Sequence, residues 1–536
     1  MNSGENSSCS VNEDRISNLP DALIHEILAF IDMKYVVKTC VLSKRWRYIW
    51  TSLPKLRFVF YEETDEEEEE QDEEDIDSDL VQMRFVNLVN KVLSLHDNSD
   101  IHTFYLDAYR NWEITLSDMY RWIATVVSHN VQELSIDKGI DKDFEIPACL
   151  CACKSLTKLE LRLENGSDLD HKVILPSAVS LPRLKSLRLN FGGFWFDDEK
   201  LTNKFFSSLP TLESLVIRQG GLNNMNLNMS FPNLTYFEFY HPVDQSNNVE
   251  VKLYVPSLTS IILKGYMPAI FFLEDLSSSV SADMHIWIKR KNNGKGVFLE
   301  IHAERKESYT QLVLRFLRGL HNARVLKLNS SFFEGMAFDT VIIIVNPFSY
   351  APVLYVSLLF ASLCTKALGG SPDILKSRKL QFRYLKLLKL SVGLSRDSMR
   401  TIFYMLKISP NIESLYMRLG PEDSLDISVH PFYDEVKLNS ENVGGLGLPD
   451  MAYYLKFVEI KYLKGSVNEL KLLADLLKHA TVLERVVLCS FSTKEELKQK
   501  EKEMEKFYEL LLTFPKASTN VMISYSVSEV TTFSTA

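Results

Sequence analysis

With 536 residues, 46% of them hydrophobic and 24% charged, the chain has the make-up of a soluble protein. It is too long for one compact core, so it holds three or four units or one elongated repeat array. Its net charge of -10 is set by one stretch, Glu62 to Asp79, which carries 14 acidic residues and without which the remainder carries about +4. Neither part has the strongly basic character of a nucleic-acid binder.

Residues 1–14 are small and polar and read as a disordered tail. They contain no apolar signal region, so the glycosylation sequons headed by Asn6, Asn165, Asn228, Asn233 and Asn329 are expected to be unused. Between Asn18 and Trp50 the apolar residues Leu23, Ile24, Ile27, Leu28 and Ile31 recur at helical spacing, while Asp21, His25 and Glu26 fall off that stripe. Pro20 stands where a first-turn proline is tolerated. Asp32 and Met33 break the stripe. Val36, Val37, Cys40 and Val41 begin a second short helix, and Ser43 is a cap for a third that carries Trp46, Ile49 and Trp50. A unit below roughly 40 residues buries too little apolar surface to stand alone. No cysteine pairing or ligand cluster is available to it, which points to a partner.

This segment resembles the F-box in its plant form. The resemblance is carried by Leu19-Pro20, Ile27-Leu28, Val36-Val37 and the run Cys40-Val41-Leu42-Ser43-Lys44-Arg45-Trp46. It implies an F-box over 15–60 that docks onto a Skp-type adaptor, and through it onto a cullin and a RING subunit. The adaptor contact it implies rests on Leu19, Pro20, Leu23, Ile27, Leu28, Val36, Cys40, Leu42 and Trp46.

The stretch from Leu53 to Phe60 reads as a strand leading onward. The acidic run, 61–79, then reads as a solvated, disordered loop, because like charges at that density repel and extend; capture of a histone or another basic partner is the functional alternative. A helix is expected near Leu80 to Leu95 and a strand at Ile101 to Leu106.

From Val131 the chain repeats an apolar pattern: Val131/Leu134/Ile136, Leu156/Leu159/Leu161, Leu184/Leu187/Leu189, Leu212/Leu215/Ile217, Leu234/Phe237/Phe239 and Leu258/Ile261/Leu263, with starts 25, 28, 28, 22 and 24 residues apart. This is the period and core pattern of leucine-rich repeats, whose stacked neighbours bury a core that no single repeat forms. Pro182, Pro210, Pro232 and Pro256 fit the turn entering each strand. The pattern returns at Ala323/Leu326/Leu328, Leu385/Leu388/Leu390, Ile412/Leu415/Met417, Leu455/Val458/Ile460 and Leu483/Val486/Leu488, with one repeat degraded or hidden around Met284 to Ile288. The solenoid is placed at 80–450.

The uncharged run Val341 to Cys364 is long enough to span a bilayer, but it holds Pro347 and Pro352 and has no polybasic flank. Repeat arithmetic makes 334–371 an insertion into one repeat. Three readings stand for it: an insertion foreign to the fold, a buried apolar excursion, or a membrane span. From Met451 to Leu488 the pattern is strand, turn at Gly465, amphipathic helix through Leu470, Leu473, Leu476 and Leu477, and strand. With Phe514-Pro515-Lys516-Ala517-Ser518, it is similar to the FBD region that follows the repeats in a group of plant F-box proteins, here 451–536.

The fold class expected is therefore α/β: a short three-helix F-box, a leucine-rich-repeat solenoid and a small α+β C-terminal unit. No catalytic constellation accompanies it. His25-Glu26-Ile27-Leu28 starts like a zinc-protease helix but has Ala29 where the second ligand must stand. Gly444-Gly445-Leu446-Gly447 lacks the strand-to-helix setting of a dinucleotide site, and no phosphate-cradling loop or nucleophile elbow occurs. Seven cysteines, at 9, 40, 149, 151, 153, 364 and 489, suit reduced thiols in an intracellular protein, in nucleus or cytoplasm. Cys149, Cys151 and Cys153 lack a fourth ligand for a tetrahedral metal, so no cofactor or metal is expected.

What the repeats supply is a surface. Alternate strand positions face outward, laying out Lys158, Glu160 and Arg162; Ser186, Arg188 and Asn190; Ser214, Val216 and Arg218; Tyr236, Glu238 and Tyr240; and Ser260, Ile262 and Lys264. From these, Glu160, Arg162, Arg188, Arg218, Tyr236, Glu238 and Tyr240 are the candidates for holding a target protein. The expected role is a non-catalytic substrate receptor of a Skp-cullin-F-box ubiquitin ligase. A non-ligase scaffold, a membrane-tethered repeat protein and a degenerate family member are the alternatives.

Overall fold

The computed structural model describes residues 19–60, 78–164, 171–218, 221–241, 249–292, 297–299, 317–328, 381–392, 402–419, 453–492 and 497–529, with gaps of one to three residues inside some of these ranges. The tail 1–14, the acidic run over 61–77 and the apolar run 334–371 lie outside the described residues. The chain divides into two compact units, 1–212 and 213–536.

The first unit opens with three short helices. The Pro20 carbonyl accepts from the N–H groups of Leu23 and Ile24 at 3.0 and 3.1 Å, which starts α1 (Asp21–Leu28). Asp32 then ends the lead-in to α2 (Met33–Lys38): one carboxylate oxygen accepts from Lys34 N at 2.7 Å and the other from Val59 N at 2.6 Å. One side chain thus caps a helix and ties it to the strand that follows. Burial pushes this carboxyl above its ordinary range, although both N–H donors pull the other way. Helix α3 (Trp46–Ile49) follows, with Ser43 Oγ accepting from Trp46 N at 3.4 Å and the Arg45 guanidinium donating back to Asp21 and to the Leu19 carbonyl.

Strand β1 (Lys55–Val59) leads directly into a parallel sheet. It pairs with β2 (Thr103–Asp107), then β3 (Glu133–Gly139), β4 (Lys158–Glu164) and β5 (Ser186–Gly192) follow, each parallel to the one before. Between strands the chain returns through α4 (Ser78–Leu95), α5 (Leu116–Ser128) and, after β5, α6 (Glu199–Ser207). Thr115 and Asp118 form a reciprocal capping box at the start of α5. Short strands at Phe144–Glu145, His171–Ile174 and Phe194–Phe196 pair in parallel as a second ladder, and Phe191, Phe194, Phe196, Phe205 and Phe206 fill the space inside.

The second unit repeats the plan. Strands β6 (Ser214–Arg218), β7 (Tyr236–His241), β8 (Ser260–Tyr266), β9 (Ser281–Trp287), β10 (Val325–Leu328), β11 (Leu387–Val392), β12 (Ser414–Leu419), β13 (Phe457–Lys461), β14 (Arg485–Ser492) and β15 (Met522–Glu529) pair in parallel, in that order. Strands Asn226–Ser230, Val249–Tyr254 and Ala269–Glu274 make its second ladder. The FBD-like stretch contributes β13, α7 (Val467–His479), β14, α8 (Leu497–Leu512) and β15. Its strands extend the parallel sheet instead of forming a sheet of their own. Gly465, at φ +84°, makes the turn into α7, which Ser466 and Glu469 close with a capping box.

Every residue named in the eleven repeat triplets is buried, none more than 5% exposed. The alternation that puts them inside is that of a half-buried strand. A shared entry turn fixes the register: two successive N–H groups converge on one carbonyl of the preceding strand's lead-in. Gln132 and Glu133 meet His102 O in this way, Thr157 and Lys158 meet Gln132 O, Thr259 and Ser260 meet Thr235 O, and Glu484 and Arg485 meet Lys456 O. The degraded repeat is β9, where the buried residues Val280, Ala282 and Met284 are spaced one residue closer than the pattern requires.

Candidate functional site

The F-box helices divide their own apolar residues. Ile24, Leu28, Met33, Val36, Trp46, Ile49 and Trp50 are buried within the unit. Leu23 and Ile27, the other half of the α1 stripe, are each 51% exposed, and Phe30, Tyr35, Val41, Leu42 and Tyr48 are exposed with them. These seven are about a third of the 22 large exposed apolar residues among the described residues, yet they fall in a segment of 32. Exposed apolar residues at that density are a feature of interaction surfaces.

Of the nine residues assigned to the adaptor, Pro20, Leu23, Ile27 and Leu42 are exposed and Leu19 and Cys40 half-buried. Leu28, Val36 and Trp46 are buried, so they hold the helices together and present nothing outward. Phe30, Tyr35, Val41 and Tyr48 are the exposed residues that sequence reasoning missed.

On the first unit's outward face, charged side chains pair across neighbouring strands. Arg162 reaches Asp137 at 2.7 Å and Arg188 reaches Glu160 at 3.7 Å. Arg57 lies 4.2 Å from the Tyr105 ring centroid, whose hydroxyl donates to Asp107 at 3.3 Å. Asp107 stands in register with Asp137. Burial pushes the Asp137 carboxyl up to about 6, against the pull of Arg162 and with the help of Asp107. A carboxyl raised in the folded state binds its proton more readily folded than unfolded, so its contribution to stability is full below pH 3.8 and declines as pH rises through about 6. Asp137→Asn is therefore expected to raise the first unit's unfolding midpoint above wild type at neutral pH and to leave it unchanged in strong acid. Urea titrations at the two pH values check this.

On the second unit's face, Glu238 is buried. Arg218 holds its Oε1 through Nε at 3.0 Å, and the Tyr236 hydroxyl donates to Oε2 at 2.7 Å. Glu238 therefore orients Arg218 and Tyr236 rather than presenting itself. Val216 is buried as well, while Arg218, Tyr236 and Tyr240 keep partial exposure. The three clustered cysteines diverge: Cys149 is exposed, Cys151 and Cys153 are buried, and burial pushes the Cys151 thiol up to about 12. Among the described residues no group of His, Cys, Asp and Glu could hold a metal ion, and no helix is long and apolar enough to cross a membrane.

Comparison with known families decides what this arrangement is. Residues 16–58 match the F-box domain, and residues 119–269 match the family described as FBD-associated F-box protein At5g56370, LRR repeats. The chain carries an F-box and, after it, leucine-rich repeats similar to those of plant FBD-associated F-box proteins. Its F-box match ends inside β1, the strand on which the repeat sheet begins.

Similar proteins from Arabidopsis thaliana are named for one or more of these parts. The chain is 31% identical over 262 residues to the putative FBD-associated F-box protein At5g56440, covering 48% of this chain and 55% of that protein. It is 26% identical over 340 residues to the F-box/LRR-repeat protein At3g59200, covering 61% of each. A longer match, 26% over 491 residues, joins it to the F-box/FBD/LRR-repeat protein At1g78750, covering 89% of this chain and 90% of that one. The chain thus spans less than two thirds of the first two relatives. The FBD-like C-terminal region fits the third.

Proposed function

We propose that this chain is the substrate-receptor subunit of a Skp-cullin-F-box ubiquitin ligase, intracellular and without chemistry of its own. The single observation that carries this reading is the exposed apolar surface of the F-box helices. Leu23, Ile27, Val41 and Leu42 stand in water, with Phe30, Tyr35 and Tyr48, on a unit whose core is already filled by Ile24, Leu28, Met33, Val36, Trp46, Ile49 and Trp50.

In this reading Leu19, Pro20, Leu23, Ile27 and Leu42, with Cys40 at the edge, meet the Skp-type adaptor. Leu28, Val36 and Trp46 keep them in place. The adaptor brings the cullin and the RING subunit. The outward faces of the repeats are the candidates for holding the target protein, through Glu160, Arg162 and Arg188 in the first unit and through Arg218, Tyr236 and Tyr240, two of them fixed by Glu238, in the second. The contribution to rate is proximity, because a held target presents its lysines to the charged conjugating enzyme at high effective concentration.

Mixing the full chain with a purified Skp-type adaptor and cullin is expected to give one complex of all three on size-exclusion chromatography. The Leu19→Ala/Pro20→Ala variant is expected to elute alone. An adaptor complex that never recruits the cullin would make the chain a scaffold instead.

A further inference from the structure

Across most of the repeat face, the outward cations are neutralised by the chain itself. Arg162 pairs with Asp137, Arg188 with Glu160, Arg218 with Glu238, and Lys327 with Asp283. Strands β11 and β12 of the second unit depart from this pairing, as Arg57 does on β1. Among the described residues, neither Lys389 on β11 nor Arg418 on β12 has a carboxylate partner; each lies on an aromatic ring instead. Lys389 Nζ is 5.0 Å from the Tyr416 centroid, and the Arg418 guanidinium is 4.6 Å from that of Tyr462. The nearby Lys461 is already satisfied by Glu459 at 3.4 Å.

The rings are themselves held. Tyr416 packs on Phe457 at 5.2 Å, and Tyr462 stacks on Phe491 at 4.5 Å with 26° between planes. All four rings are half-buried, so each keeps surface open. Tyr462 has φ +63°, a left-handed conformation that a bulky residue adopts only where its surroundings impose it. That turn places its ring between Phe491 and Arg418. A cation over a ring keeps its charge and is positioned for a further anion.

Spacing completes the pattern. Lys389 is in register with Tyr416, two residues before Arg418 on the neighbouring strand, so the two cations stand on a diagonal of roughly 7–8 Å. Alternate side chains of an extended chain are separated by about 6.6 Å on the same side.

We propose that this face binds an extended acidic segment of the target protein, with carboxylates at alternate positions meeting Lys389 and Arg418 and apolar side chains resting on Tyr416, Tyr462 and Phe491. The proposal rests on the reading of the chain as a substrate receptor and gives that reading a chemical class of target. It also moves target recognition toward the FBD-like end, since Tyr462 and Phe491 belong to that region.

The test is fluorescence anisotropy of a labelled random Glu/Tyr copolymer titrated with the full chain, with adaptor binding measured on the same samples. Wild type is expected to bind the copolymer, more weakly as salt rises, and to leave a Lys/Tyr copolymer unbound. The Lys389→Ala/Arg418→Ala variant is expected to lose about tenfold or more in copolymer affinity while binding adaptor as before. Lys498→Ala/Lys502→Ala, exposed on α8, is expected to change neither. Unchanged copolymer affinity in the Lys389/Arg418 variant overturns the proposal, as does binding only after the tyrosines are phosphorylated, and both leave the receptor reading intact. Loss of adaptor binding in wild type, with copolymer binding still dependent on Lys389 and Arg418, overturns the receptor reading and keeps the acidic-segment site.

Discussion

Replacing Leu23 and Ile27 together by aspartate is expected to abolish adaptor binding while leaving the thermal unfolding of the chain unchanged. Each side chain is 51% exposed, so covering the open halves of both contributes roughly 2–3 kcal/mol to association. Aspartate loses that and adds the cost of desolvating two carboxylates. The affinity therefore falls by more than about 100-fold, since each 1.4 kcal/mol is a factor of ten. Their helical neighbours behave in the opposite sense. Ile24 and Leu28 are at most 2% exposed, so truncating either to alanine is expected to cost ~2–5 kcal/mol of stability and to weaken adaptor binding only through loss of the fold. Titration calorimetry with the adaptor, beside thermal melts of the same samples, separates the two classes.

Asp32→Ala is expected to destabilise the first unit by about 2–4 kcal/mol. The carboxylate accepts from Lys34 N at 2.7 Å and Val59 N at 2.6 Å. Removing a helix cap costs ~1 kcal/mol, and leaving the buried Val59 N–H without a partner costs ~1–3 kcal/mol more. Because one side chain serves both the α2 start and β1, the loss is felt in the F-box helices and in the first strand together. Asp32→Asn keeps one acceptor oxygen and is expected to lose about half as much. Tryptophan fluorescence during urea unfolding, to which Trp46 and Trp50 contribute, measures both variants.

The repeat core was legible because Leu-x-x-Leu-x-Leu states in sequence what strand alternation does in space. It failed where residue size and spacing changed together. In β9, Ala282 stands in register with Ile261 and Leu326, too small to mark a core position. The first two strands do carry the pattern, as Leu53/Leu56/Phe58 and Ile101/Phe104/Leu106, all buried. They are 48 residues apart with the acidic run between them, so no period connected them to the array.

The candidate site was legible in outline only. Helical spacing identifies the stripe Leu23, Ile24, Ile27, Leu28 and Ile31 but not which edge of it the chain covers, since that depends on how the unit folds back onto β1. Strand alternation puts Glu238 outward, and local alternation cannot show that Arg218 and Tyr236 from the same face close over it. Tyr462 is just past the end of β13. Its ring reaches the outward face only through a positive φ that nothing in the residue type announces.

Hydrogen–deuterium exchange on the full chain, with and without a Skp-type adaptor, tests the central claim most directly. The account expects new protection confined to residues 19–50, strongest in α1 and around Val41 and Leu42. An adaptor that binds with protection elsewhere, or a folded chain that shows no protection at all, would contradict it.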